Sequence, residues 1–67
     1  MELTINGEVI KLPTNVLTVA DLLTHFQLNE KIAMVEVNLS IIERSHFAET
    51  KLSNGDKVEI VHFVGGG

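Results

Sequence analysis

The chain contains no cysteine, no tryptophan and no tyrosine, and only one proline. Without cysteine there is no disulfide to staple a small domain and no thiolate to hold zinc or an iron–sulfur cluster. Three scattered histidines, His25, His46 and His62, do not make a zinc signature. Basic residues are also scarce. Five Lys and Arg stand against nine Asp and Glu, for a formal net charge of −4. With no basic cluster to meet phosphate, nucleic acid and anionic membranes are not expected partners. No apolar run approaches about 20 residues, and no leader-like charged and apolar regions open the chain. The composition reads as a soluble cytoplasmic domain.

The 67 residues that are present suffice for one domain. Such a domain buries only about 60% of the surface its unfolded chain exposes, so the core must be used efficiently. Leu, Ile and Val carry that packing within a hydrophobic content of 45%, with three Phe as the sole aromatics.

"MELTINGEVIKL" reads as a hairpin. Leu3 and Ile5 alternate with Glu2 and Thr4, Asn6-Gly7 tolerates positive φ, and Val9 to Leu12 returns. Pro13 removes a backbone donor and ends the second strand. Helical spacing follows, with Val19, Leu22, Leu23 and Phe26 at i, i+3, i+4 and i+7 on one face. Thr18 is the expected N-cap, with Asp21 completing an acidic capping box. The helix is expected over 19–27, with Asn29 in the turn that follows.

The apolar stretch "KIAMVEVN" predicts a central strand buried on part of both faces, with Met34 in the core. Ile41 and Ile42 predict a short edge strand. Ser45 is expected to cap a single turn through Phe47 and Ala48. "SNGD" at 53–56 is a turn, and "KVEIVHFV" is the last strand. One helix this short must lie across a sheet. The order of elements predicts an α+β fold: a β-grasp, or ubiquitin-like roll, with a mixed sheet of four to five strands crossed by one main helix. The domain is expected over 1–64, with 65–67 a flexible glycine tail. By analogy with that fold, the first and last strands are central and parallel.

Alternation divides the last strand into Val58, Ile60, His62 and Val64 on the helix side, and Lys57, Glu59, Val61 and Phe63 on the other. Val61 and Phe63 then form an exposed apolar pair beside the terminus, a candidate partner-binding patch. The alternative is that Phe63 folds over the sheet edge and packs.

Gly65, Gly66 and Gly67 have no side chains, so they can thread a narrow channel. Three extended residues reach about 10 Å, enough to carry an end off the domain surface. An α-carboxylate there is ionised at neutral pH. Being unhindered and without a neighbouring stereocentre, it suits activation by ATP to an acyl adenylate followed by attack of a nucleophile. A frayed, incidental end is the alternative.

"KIAMVEVN", "IIERSHF" and "NGDKVEIVHFVGGG" closely resemble the sulfur carrier proteins of thiamine (thiazole) biosynthesis, the ThiS family. The resemblance covers essentially the whole chain, and the last dozen residues are its specific part. It implies that the diglycine Gly66-Gly67 is adenylated by an E1-like adenylyltransferase using ATP. Gly67 then becomes a thiocarboxylate, with sulfur from a donating enzyme, and delivers that sulfur to thiazole synthase. The family requires two terminal glycines, so Gly65 reads as added tether. The absence of cysteine excludes persulfide carriage, so any sulfur the chain carries must sit on another group, for which the terminal acyl carbon of Gly67 is the candidate.

No bound cofactor and no catalytic residue are expected, because no Ser-His-Asp or Cys-His arrangement accompanies His25, His46 or His62. The acidic residues read as a solvated surface that steers the domain toward basic partner patches. Arg44 is a candidate to pair with Glu43 or with a partner acid, and nothing in the sequence decides between them. Two other readings stay open: a carrier of another pathway, such as the small subunit of molybdopterin synthase, and a ubiquitin-like interaction module whose tail is incidental.

Overall fold

The alternation at the N-terminus builds the hairpin it predicts. In the computed structural model, which describes residues 1–62, β1 (Glu2–Ile5) and β2 (Glu8–Lys11) pair antiparallel with Leu3 opposite Ile10. Asn6 and Gly7 turn the chain at φ 51° and 84°. Two successive positive φ values define the hairpin turn that matches strand twist, which is why Asn-Gly stands here.

Helix α1 (Val19–His25) starts where expected. Thr18 Oγ1 accepts the Asp21 N–H at 3.1 Å, and the Asp21 carboxylate accepts the Thr18 N–H at 3.1 Å and the Leu17 N–H at 3.0 Å. The two remaining free donors of the first turn are met from a distant segment. Val19 N–H donates to the Thr50 carbonyl and Ala20 N–H to the Phe47 carbonyl, each at 3.0 Å. A helix of seven residues is marginal by itself. With its N-terminal donors all satisfied, packing has only to supply the rest.

The hydrogen bond from Leu17 N–H, and those from Thr18, hold the Asp21 carboxyl below its ordinary value of 3.8, against an opposing desolvation effect. A depressed folded-state value stabilises the fold above the unfolded value, and that contribution is lost as pH falls through the lowered one. Acidification below about pH 3.8 should therefore cost the native chain part of its helix stability. Asp21→Asn should lack that acid-dependent step in melting curves recorded from pH 5 down to pH 2, a window bracketing ordinary carboxylate titration.

The helix ends two residues short of the expected Gln27. Phe26 is the C-cap, Gln27 takes φ 58°, and the chain closes with Leu28 N–H to Leu23 O at 2.9 Å and Gln27 N–H to Thr24 O at 3.0 Å. That double closure is a Schellman ending, here with Gln in the left-handed position usually given to glycine. As C-cap, Phe26 does not join the core and is 36% exposed, its ring edge-on to His25. Asn29 caps a 3-10 turn (Glu30–Ile32) by accepting the Lys31 N–H at 2.9 Å.

Strands β3 (Ala33–Val37), β4 (Ser40–Ile42) and β5 (Lys57–His62) complete a five-stranded mixed sheet of order β2-β1-β5-β3-β4. β1 and β5 are parallel, with Ile5 opposite Val58, and occupy central places as the fold analogy predicts. Two expectations need correction. Met34 is 47% exposed, because the helix covers only one face of the sheet and alternation turns Met34 to the other, leaving Val35 as the buried residue. The turn after β4 spans Arg44–His46 with Glu43 before it, so Ser45 lies inside the turn instead of capping it. The core comprises Leu3, Ile5, Leu12, Val16, Val19, Leu22, Leu23, Val35, Phe47, Leu52 and Val58.

Candidate functional site

β5 carries the chain toward its glycines, so the site is built around the exit end of that strand. On its helix side, Val58 is fully buried and Ile60 and His62 are half-buried. On its open side, Lys57, Glu59 and Val61 face outward. The two faces therefore fall as alternation predicts. Phe63, Val64, Gly65, Gly66 and Gly67 lie outside the described residues.

The open face has a definite layout. Val61 is 53% exposed and stands directly opposite Met34 on β3. Directly opposed residues of an antiparallel pair bring their Cβ atoms to roughly 5 Å, so the two side chains form one apolar step. The next step holds Glu59 opposite Glu36, with exposed Ile41 opposite Glu36 on the far side. Like charges placed directly opposite destabilise a sheet. The pattern gives an apolar step nearest the exit and an acidic step behind it.

The exit end itself is tied from both edges. β3 pairs Ala33 with His62, and the His62 ring accepts the Asn29 N–H on Nε2 at 3.0 Å. On the other edge, Asn6 bonds both main-chain groups of Ile60 through its side chain. Composition and periodicity single out neither tie. The signal for Asn6 was its place in the turn dipeptide, where it reads as a turn former alone.

The other sequence candidates are placed apart from this exit. His25 lies exposed at the end of α1 and His46 exposed in the 3-10 turn, so the three histidines do not converge. Among the described residues, no group of His, Asp and Glu could hold a metal ion. Arg44 begins that same turn. No described helix is long and apolar enough to cross a membrane.

A single helix laid on a five-stranded mixed sheet, with the last strand central and running out beside an exposed apolar step, defines a β-grasp domain of the ubiquitin-like kind. Residues 2–67 match the ThiS family, and the chain belongs to it: this is a sulfur carrier of thiamine biosynthesis. It is 45% identical to the sulfur carrier protein ThiS of Bacillus subtilis, over 97% of this chain and 98% of that one. It is also 40% identical over its whole length to a thiazole synthase of Paramagnetospirillum magneticum, of which it spans 20%. The crystal structure of a thiamine biosynthesis protein (ThiS) from Geobacter metallireducens superposes with a TM-score of 0.83 at 35% identity, covering all of both chains.

Proposed function

We propose that this carrier works through Gly67 as a protein cosubstrate and is itself no enzyme. An E1-like partner adenylates the Gly67 carboxylate with ATP, releasing pyrophosphate. Sulfur from a donating enzyme then displaces AMP to leave a thiocarboxylate, which thiazole synthase consumes. Gly66 and Gly65 are the unhindered tether, and the carrier binds no cofactor of its own. The cytoplasm is its place, since ATP and the partner enzymes are met there.

The observation that carries this reading is the placement of β5. The central strand of the sheet is the one that leads into the glycines. The match of a carrier-sized segment to one-fifth of a thiazole synthase supports the synthase as partner. Intact-mass measurement on the chain recovered from cells forming thiazole tests it. Replacement of one oxygen by sulfur on the C-terminal glycine is expected. Finding only unmodified chain during active thiazole formation overturns it.

Val61, with Phe63 beyond it, is the docking patch in this proposal. A partner surface presenting apolar side chains beside an Arg or Lys fits it, covering Met34 and Val61 and relieving the Glu36–Glu59 repulsion. Val61→Glu should weaken binding to the activating enzyme by about tenfold or more, equivalent to at least about 1.4 kcal/mol. Unfolding free energy should fall by no more than about 1 kcal/mol, the cost of losing the Met34 pair and adding a carboxylate beside Glu59 and Glu36. Calorimetric titration together with a denaturant melt checks both halves. Unchanged affinity would remove Val61 from the interface.

A further inference from the structure

The parallel pairing of β1 with β5 stops at Ile5 opposite Val58. Asn6 N–H adds one more main-chain bond, to the Val58 carbonyl at 2.9 Å, and the chain then turns away through Gly7. β5 runs on for four more residues, Glu59 to His62, with β3 along one edge. On the edge that β1 has left, the Asn6 side chain takes its place. Its Oδ1 accepts the Ile60 N–H at 2.8 Å and its Nδ2 donates to the Ile60 carbonyl at 3.1 Å.

Asn6 thus does with one amide what a further strand residue would do with its main chain. The turn does not require this. Gly or Asp also tolerates a φ of 51°, but neither offers a donor and an acceptor together. Ile60 stands two residues before the last described residue and seven before Gly67. A strand end held on one edge can splay away from the sheet, and each degree of splay is amplified along the tether. Held on both edges, the strand keeps one direction as far as its last described residues.

We infer that Asn6 is a positioning residue of this carrier: its side-chain amide clamps the Ile60 main chain and fixes the direction in which the segment ending in Gly67 leaves the sheet. The inference rests on the carrier reading, since direction matters only if the end must enter another protein's active site. Without the clamp, only a fraction of carrier molecules presents the end correctly. The apparent affinity then falls by that fraction, while turnover at saturation is retained.

The test uses the full chain with Asn6→Gly, which keeps the turn and removes both bonds, and Asn6→Asp, which keeps the turn and removes the donor to Ile60 O. Amide exchange by NMR reports the clamp, and loading kinetics with the ATP-dependent activating enzyme report its use. Asn6→Gly should speed exchange at Ile60 by about tenfold relative to Val35, because the amide loses its one partner on that edge. It should raise KM for the carrier by about fivefold with kcat altered less than about twofold, as a reduced competent fraction requires.

Thr18→Ala, which removes the N-cap bond of α1 away from the clamp, serves as a destabilised control and should leave KM unchanged. If Asn6→Gly fails to fold, Asn6→Asp decides by the same KM criterion. An unchanged KM in a folded variant with faster Ile60 exchange overturns the inference, as does Ile60 exchange indistinguishable from the native chain. Failure of the native chain itself to be loaded would count against the carrier mechanism, whereas the exchange measurement judges the clamp independently.

Discussion

Deletion of Gly66 and Gly67 is expected to abolish sulfur loading while shifting the melting temperature by no more than about 2 °C, because stability follows the buried core. The described core residues end at Val58, and the last described strand ends at His62. The truncated chain still ends in glycine and still carries an ionised carboxylate, so its chemistry at the carboxyl group is unaltered. Its reach is not. Two residues shorten an extended tether by about 7 Å. A misplacement of about 1 Å in a reacting group can cost around a hundredfold, so a gap several times larger leaves no measurable reaction. Mass analysis after incubation with the activating enzyme, ATP and a sulfur donor should show complete loss of the oxygen-to-sulfur exchange. The same result separates the carrier from a ubiquitin-like interaction module, which would keep its partner affinity without the two glycines. Loading of the truncated chain at a rate comparable to the native one would place the reactive group elsewhere.

What the amino-acid order alone conveys, and what it does not, follows the range of the interactions involved. The Asn6-Gly7 hairpin, the Thr18–Asp21 capping box and the turn at 53–56 are written within four or five consecutive residues, and each appears as expected. The face of Val61 is equally local, since alternation along β5 fixes it once Val58 is known to be inside. Met34 and Phe26 misled for a shared reason. An apolar side chain reports a preference for burial, but the opportunity depends on what covers its face. Nothing described covers the open side of β3, and the helix has already ended at Phe26.

The asparagines show the same limit of local sequence. Asn6 occupies a positive-φ turn position that its sequence context accounts for, and Asn38, which the apolar run places at the end of a strand, occupies one too. Yet the Asn38 Oδ1 accepts the Lys57 N–H at 3.0 Å and its Nδ2 donates to the Asp56 carboxylate at 3.0 Å, and Asn54 Oδ1 accepts the Glu2 N–H at 2.7 Å. These bonds join residues 18 to 54 positions apart. No local pattern encodes such a partner. The parallel register of β1 and β5 belongs with them, because it depends on bringing the two ends of the domain together.

Phe47→Ala is expected to unfold most of the population at 25 °C. Sequence places Phe47 in a turn after a weak edge strand. In the structure it is 1% exposed and is the largest fully buried side chain among the described residues. The segment around it also reaches the helix: the Phe47 carbonyl accepts the Ala20 N–H, the Thr50 carbonyl accepts the Val19 N–H, and Leu52 N–H donates to Leu17 O. Thr18 and Lys51 form an isolated bridge beside them. Truncating a buried phenylalanine to alanine costs about 3–5 kcal/mol. A core of this size rarely supplies more than about 3–5 kcal/mol in total, so the loss consumes the whole margin. The same truncation loosens the segment that satisfies the start of α1, which removes the means of recovering part of the cost by relaxation. Circular dichroism in water should show a chain largely unfolded without denaturant, and an NMR spectrum with collapsed amide dispersion. Phe47→Leu keeps most of the apolar volume and should stay folded with a lowered midpoint. A Phe47→Ala chain that melts within a few degrees of the native one would mean that the helix and sheet are held together without the 43–52 connection.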